Sequence, residues 1–166
     1  MSGIHVLGIP VEYYYPAFTI FMLLLTIIFV PRNKFKSLFW LSLLWGFLGS
    51  MVVGMIFGGI FKMFRWEYAM PFMFLGHPTW INLAWFLAMI LYFYYLPTQK
   101  AWYFLALYVI VFAVASTNLD VIFQQIGMLH YLHWRPFYRF LVAIVWFYGA
   151  AYHYQYLKNK GEIRDL

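Results

Sequence analysis

Apolar residues gather into five stretches, roughly 13–30, 37–60, 80–96, 102–123 and 137–156. Charged residues fall almost entirely between them. Each stretch approaches the ~20 residues with which a helix crosses a bilayer's hydrocarbon core. Inside lipid every backbone N–H and C=O must be paired internally, so only helices and closed barrels span. Barrel strands alternate apolar and polar residues. Segments 20–30 and 104–114 are apolar around the whole circumference, which favours helices. The pattern predicts an all-α, polytopic membrane bundle of five transmembrane helices, forming a single integral membrane domain over 1–166.

Composition agrees. Hydrophobic residues make up 66% of the 166-residue chain and charged residues 10%, with a mean hydropathy of +0.76. A soluble domain carries about 25% charge. There are no cysteines, which excludes disulfides, thiolate metal sites and a cysteine nucleophile. The N-terminal MSGIHVLGIPVEYYYP has no Lys or Arg before its apolar run. It does not read as a secretory signal, so the first helix is expected to stay.

The net charge of +6 does not point to nucleic acid, because the basic residues sit beside apolar stretches. Arg32, Lys34, Lys36, Lys100, Lys158, Lys160 and Arg164 fall on one side of a five-span topology, with Lys62, Arg65, Arg135 and Arg139 on the other. The positive-inside rule then places the N-terminus outside and the C-terminus in the cytoplasm. The longer loops 61–79 and 124–136 lie outside. Their aromatics Trp66, Tyr68, Trp80, Tyr131 and Trp134 are expected at headgroup depth. The short Pro97-Thr98-Gln99-Lys100 connection predicts helices three and four as antiparallel neighbours.

The five stretches differ inside. Helix one reads as a plain lipid-compatible anchor. Helix two carries Ser42, Gly46, Ser50, Gly54 and Gly58 at four-residue spacing. Small residues let helix backbones approach closely in lipid, where burying Leu gains little. This ladder predicts tight packing, either internally against helix one, four or five, or across a homodimer or larger membrane complex.

Helix four carries Ser116, Asp120 and Gln124 at the same spacing. A carboxylate near a membrane helix is costly and faces the bundle interior or water. Asp120 lies about one turn from the outer end. It reads either as a polar cap bonded to Arg135 or Arg139, or as one wall of an outward-facing cavity. Asn82 lies at similar depth, and His77 and Glu67 lie on the same side. His5, His130 and His133 are outer as well, and His153 is inner. His130 and His133 have the i, i+3 spacing of one helical turn and the donor chemistry of a divalent-metal site. That signal is weak, because no H-E-x-x-H or comparable motif accompanies it. No span holds the lysine of a retinal Schiff base, no G-x-S-x-G nucleophile is present, and no cofactor is indicated.

Further residues carry a resemblance. Trp66-Glu67-Tyr68, His77-Pro78-Thr79, Leu96-Pro97, Lys100-Ala101-Trp102-Tyr103 and Ile126-Gly127-Met128 with His130-Tyr131 and Trp134 resemble an uncharacterised family of small multi-pass membrane proteins of spore-forming Firmicutes. That family commonly carries a glutamate in helix four, where Asp120 is the acid here. The resemblance implies the bundle architecture and a bacterial cytoplasmic-membrane location, and no activity. In size and tryptophan content the chain is also similar to the tryptophan-rich sensory proteins.

Three functions are expected from these residues. One is binding or transport of a small or amphipathic ligand in an outward-facing pocket, with Asp120, Gln124, Ser116, Asn82, His77 and Glu67 as contacts. The second is an accessory subunit docked through the Ser42–Gly58 ladder. The third is a small enzyme acting on a lipid or isoprenoid, with Asp120 or Glu67 as acid or base. No catalytic residue is assigned.

Overall fold

The structure, a computed structural model, describes residues 5–6, 8–69, 73–74, 77–97 and 102–161. Lys100 and Arg164, which carry part of the charge bias, and the Thr98-Gln99-Lys100 connection lie outside the described residues. The fold is mostly helical. Short strands β1 (His5–Val6) and β2 (Ile9–Pro10) precede a 3₁₀ turn at Val11–Tyr13, which leads into α1 (Tyr14–Phe29). Then come α2 (Arg32–Ile60), β3 (Phe64–Trp66), β4 (Met73–Phe74), β5 (His77–Pro78) and α3 (Thr79–Tyr94). The chain continues through α4 (Trp102–Gln125), β6 (Leu129–Tyr131) and α5 (Pro136–Asn159).

Among the described residues three helical stretches are long and apolar enough to cross a membrane: Val11–Phe29, Arg32–Ile60 and Trp102–Gln125. At 16 residues α3 is apolar but shorter. Although α5 has 24 residues, Arg139, His153, Gln155 and its many tyrosines dilute its hydropathy. Much of the surface is bare hydrocarbon. Ile27, Ile28, Trp40, Trp102 and Val145 are each at least 66% exposed. A water-soluble fold rarely leaves so much apolar surface uncovered, and a membrane protein does.

Local chemistry sets the helix ends. Pro31 is extended and its carbonyl accepts the N–H groups of Lys34 and Phe35 at 2.9 and 3.1 Å. Residues 32–36, expected in a loop, therefore form the first turns of α2. Proline interrupts the preceding helix, while Arg and Lys are good helix formers once past it. Extended Pro78 and Arg135 precede α3 and α5 in the same way, with Pro136 at the first position of α5, where its missing N–H costs nothing. Gly127, at φ 79°, ends α4. Met128 N–H reaches back to the Phe123 carbonyl at 2.8 Å, and Gly127 N–H to Gln124 at 3.1 Å. This left-handed cap delivers the chain directly into β6.

The closest helix pairs are α1 with α3, α4 with α5, and α2 with α3. Helices three and four, expected as close neighbours, touch instead through side chains. Tyr108 donates its hydroxyl to the Tyr92 carbonyl at 2.7 Å, and Tyr92 packs on Phe112. Nor is α1 a plain anchor. Tyr15, Thr19 and Thr26 are buried, and Thr19 donates to the Trp80 carbonyl at 2.8 Å. Its threonine face is its packing face.

The ladder of α2 faces α3 and β5 rather than helix one, four or five. A Cβ on Gly46 would lie 2.6 Å from the Phe86 Cα, one on Gly54 1.9 Å from the His77 ring, and one on Gly58 3.2 Å from the Phe64 ring. Ser42 is fully buried. Ser50 donates to Asn82 Oδ1 at 2.8 Å. The stripe is not straight, because Leu43–Leu48 and Gly54–Ile60 are π-helical. Wider π turns shift the faces, and Gly49 joins the contact surface by admitting the Trp146 ring.

Two apolar clusters form the core. The larger joins Leu38, Ile90, Phe93, Ala113, Phe147 and Tyr154. The second joins Val11, Tyr15, Ile81, Phe123, Met128 and Trp134. Residues 61–69 and 126–136 close over this second cluster, because β3 pairs antiparallel with β6, Phe64 opposite Tyr131 and Trp66 opposite Leu129. The Tyr15 hydroxyl sits between the carbonyls of Glu67 and Met128, 2.9 Å from the latter. Trp66 and Trp134, expected among an interfacial belt, are instead packed inward, with Trp134 only 5% exposed.

Candidate functional site

Beneath the β3–β6 pair the helices leave a cavity of about 70 Å³. Its walls are Trp45, Ser50 and Val53 of α2, Trp85 of α3, Asp120 of α4, and Arg139, Val142, Ala143, Trp146 and Phe147 of α5. Phe64 and Trp66 of β3, His77 of β5, Leu129 of β6 and Trp134 complete it. Five of its walls are therefore indoles. The gap exists because α2 and α5 approach each other through large rings. Trp45 packs edge-on against Trp146 with centroids 5.0 Å apart, and its Nε1 donates to His153 Nδ1 at 2.9 Å.

The polar content of the site is specific. Arg139 Nε donates to Asp120 Oδ2 at 2.8 Å, with the two side chains only 15% and 14% exposed. Tyr131 donates its hydroxyl to the same oxygen at 3.2 Å. Burial, then the Asp120 carboxylate, pushes the Tyr131 hydroxyl far above the ordinary phenol range, so it remains a donor. The Arg139 guanidinium lies 5.7 Å from the Trp85 ring centroid, within cation–π range. The carboxylate thus has two partners and the guanidinium a ring.

Three buried nitrogens on the cavity walls have no hydrogen-bond partner among the described residues: Trp66 Nε1, Trp134 Nε1 and His77 Nδ1. Buried polar groups are nearly always satisfied, and each exception calls for an explanation. His77 lies edge-on to Trp66, centroids 5.4 Å apart. Burial lowers its imidazole to about 4, with the Pro78 backbone and Asn82 side chain offsetting part of the effect. At neutral pH the ring is uncharged.

The expected site residues divide. Asp120 and His77 line the cavity together. Asn82 is 1% exposed and joins through Ser50. Ser116 and Gln124 bond within their own helix, to the carbonyls of Ala113 at 3.0 Å and Asp120 at 3.5 Å. Neither lines the cavity. Glu67 pairs with Arg65 beside β3 and is not part of the wall either. His130 and His133 are exposed. Among the described residues no three His, Asp or Glu side chains gather as metal ligands would.

Sequence reasoning passed over Trp45, Trp85, Trp146 and the role of Arg139 in the wall. The available signal was position. These three indoles lie inside helices, away from the ends where an aromatic belt would put them.

Comparison of the chain with protein-family models, with curated proteins and with solved structures finds no match in any of the three.

Proposed function

We propose that this chain is a multi-pass protein of the bacterial cytoplasmic membrane that binds a small or amphipathic ligand between its helices. In this reading five helices span, the N-terminus is outside and the C-terminus is cytoplasmic. The five helices, their exposed hydrocarbon and the basic residues at the start of α2 and the end of α5 support it. The resemblance to the Firmicutes family points the same way.

One observation carries the binding reading. An indole-walled cavity holds a compensated ion pair, Asp120–Arg139, beside buried nitrogens that lack partners among the described residues. An apolar pocket with a few convergent polar groups is the usual form of a small-molecule site. The docking-subunit reading is less well supported, because Gly46, Ser50 and Gly54 are already covered by the chain's own α3 and β5. The enzyme reading is weaker too, since both oxygen-bearing candidates, Asp120 and Glu67, are held by arginines.

Native mass spectrometry of protein extracted gently from its membrane tests the proposal. A bound small molecule is expected on the wild type and lost in Ala143→Leu, which fills the cavity, at unchanged overall fold. Wild-type protein free of any bound molecule, or equal occupancy in Ala143→Leu, overturns it.

A further inference from the structure

We propose that the ligand of this cavity is an uncharged, planar, carbonyl-bearing amphiphile, the chemical class to which quinones belong. The inference rests on the pocket reading and deepens it by naming what the pocket selects.

Charge comes first. Asp120 and Arg139 already neutralise each other, and both are largely buried. A ligand bringing a net charge would leave that charge uncompensated where water is scarce, which is strongly unfavourable. His77 offers no compensation, because burial keeps it neutral. The ligand is therefore uncharged.

Hydrogen-bonding demand comes second. The indoles of Trp66 and Trp134 are donors only, and neither finds an acceptor among the described residues. Among the described residues Arg139 engages Asp120 through Nε, which leaves further donors on the guanidinium. The Asp120 carboxylate is shared between Arg139 and Tyr131. Two indole N–H donors thus line this site without an acceptor among the described residues, and the group that complements them carries acceptor oxygens. A carbonyl is a neutral group that offers two acceptor lone pairs and no donor.

Shape comes third. The walls are flat rings, which pack best against another flat ring, offset or edge to face. The cavity is small, about 70 Å³, so it takes the carbonyl edge of a ring and not a whole lipid. Both α2 and α5 expose apolar side chains, among them Leu48, Val52 and Val145, against which a hydrocarbon tail can lie.

Three probes of similar size separate these terms on the full-length protein in detergent: menadione, 2-methylnaphthalene and 2-naphthoate. The first has the ring and carbonyls, the second the ring alone, the third the ring with a negative charge. With no cysteine in the chain, menadione has no thiol to modify. Equilibrium dialysis should show menadione binding about tenfold or more tighter than either analogue, the scale of one net hydrogen bond. Trp66→Phe and Trp134→Phe, which keep a ring and remove the N–H, should weaken menadione about tenfold and leave 2-methylnaphthalene unchanged. Unchanged binding of the hydrocarbon shows that the variants are folded.

Equal affinity for 2-methylnaphthalene would remove the acceptor argument, and tighter binding of 2-naphthoate the charge argument. Wild-type affinity for menadione in both Trp variants also overturns the proposal. If no probe binds but the native molecule is still lost in Ala143→Leu, the class is wrong and the pocket stands. If no probe binds and no native molecule is found, both fall.

Discussion

Arg139 reaches from the first turn of α5 to Asp120, five residues before the end of α4, and the 2.8 Å bond between them ties the two helices across the β6 turn. Tyr131, within that turn, bonds the same carboxylate. Both charged partners are mostly buried, so each depends on the other to offset its desolvation.

Removing one partner should therefore cost more than removing both. Asp120→Ala or Arg139→Met alone leaves an uncompensated buried charge and should destabilise by about 3–5 kcal/mol. The double variant Asp120→Ala, Arg139→Met should lose clearly less than the sum. Thermal unfolding in detergent, arranged as a double-mutant cycle, measures the coupling. Additive losses would show that the pair contributes little as a pair.

The glycines of α2 should rank by what they touch. At Gly46 an alanine Cβ meets the backbone of Phe86, which cannot swing aside. Gly46→Ala should cost about 2–3 kcal/mol, the scale of an overpacked core. At Gly59 nothing lies within 4 Å, so Gly59→Ala should be neutral or stabilise by up to ~1 kcal/mol through helix propensity. Unfolding midpoints of the two variants decide this. A Gly46→Ala protein as stable as the wild type would refute the close α2–α3 contact.

His77 should make stability depend on pH. Its folded value of about 4 lies below the ordinary histidine value near 6.5. The unfolded chain therefore binds the proton more readily, and stability declines as pH falls through this interval. The stabilisation is complete above pH ~6.5 and is lost by pH ~4. A His77→Gln variant should show a flatter profile between those limits. Unfolding midpoints collected across that range test it, and parallel profiles for variant and wild type would assign the pH effect elsewhere.

Some of this was legible in the residues and some was not. Periodicity and hydropathy marked five helical stretches, because unbroken apolar runs admit no other backbone solution in lipid. Boundaries slipped where one local rule met another. Residues 32–36 looked like a loop by charge, yet Pro31 starts a helix there. The four-residue spacing on α2 announced close packing, but a spacing is blind to partners. It placed helix one, four or five opposite, where the fold has α3 and His77. Thr19 and Thr26 passed unnoticed in an apolar run, although they form the buried face of α1.

Half of the candidate site was likewise visible. Asp120, His77 and Asn82 drew attention because polar groups near apolar spans are costly and must be met. Ser116 and Gln124 drew it for the same reason and turned out to bond within their own helix, which sequence cannot distinguish. Trp66 and Trp134 read as interfacial because indoles at span ends commonly are.

What the sequence determined by itself is the solvent and the class of backbone: apolar helices whose surfaces suit lipid, with polarity concentrated toward one end of α4 and in the loops beside it. These follow from composition and from local hydrogen-bonding rules that each segment obeys alone. What only the tertiary structure decided is which faces meet. The β3–β6 pairing joins residues more than sixty apart, and it turns two indoles inward over Asp120 and Arg139. Such contacts depend on the positions of α2, α3, α4 and α5 at once, so no local pattern encodes the cavity that these helices enclose.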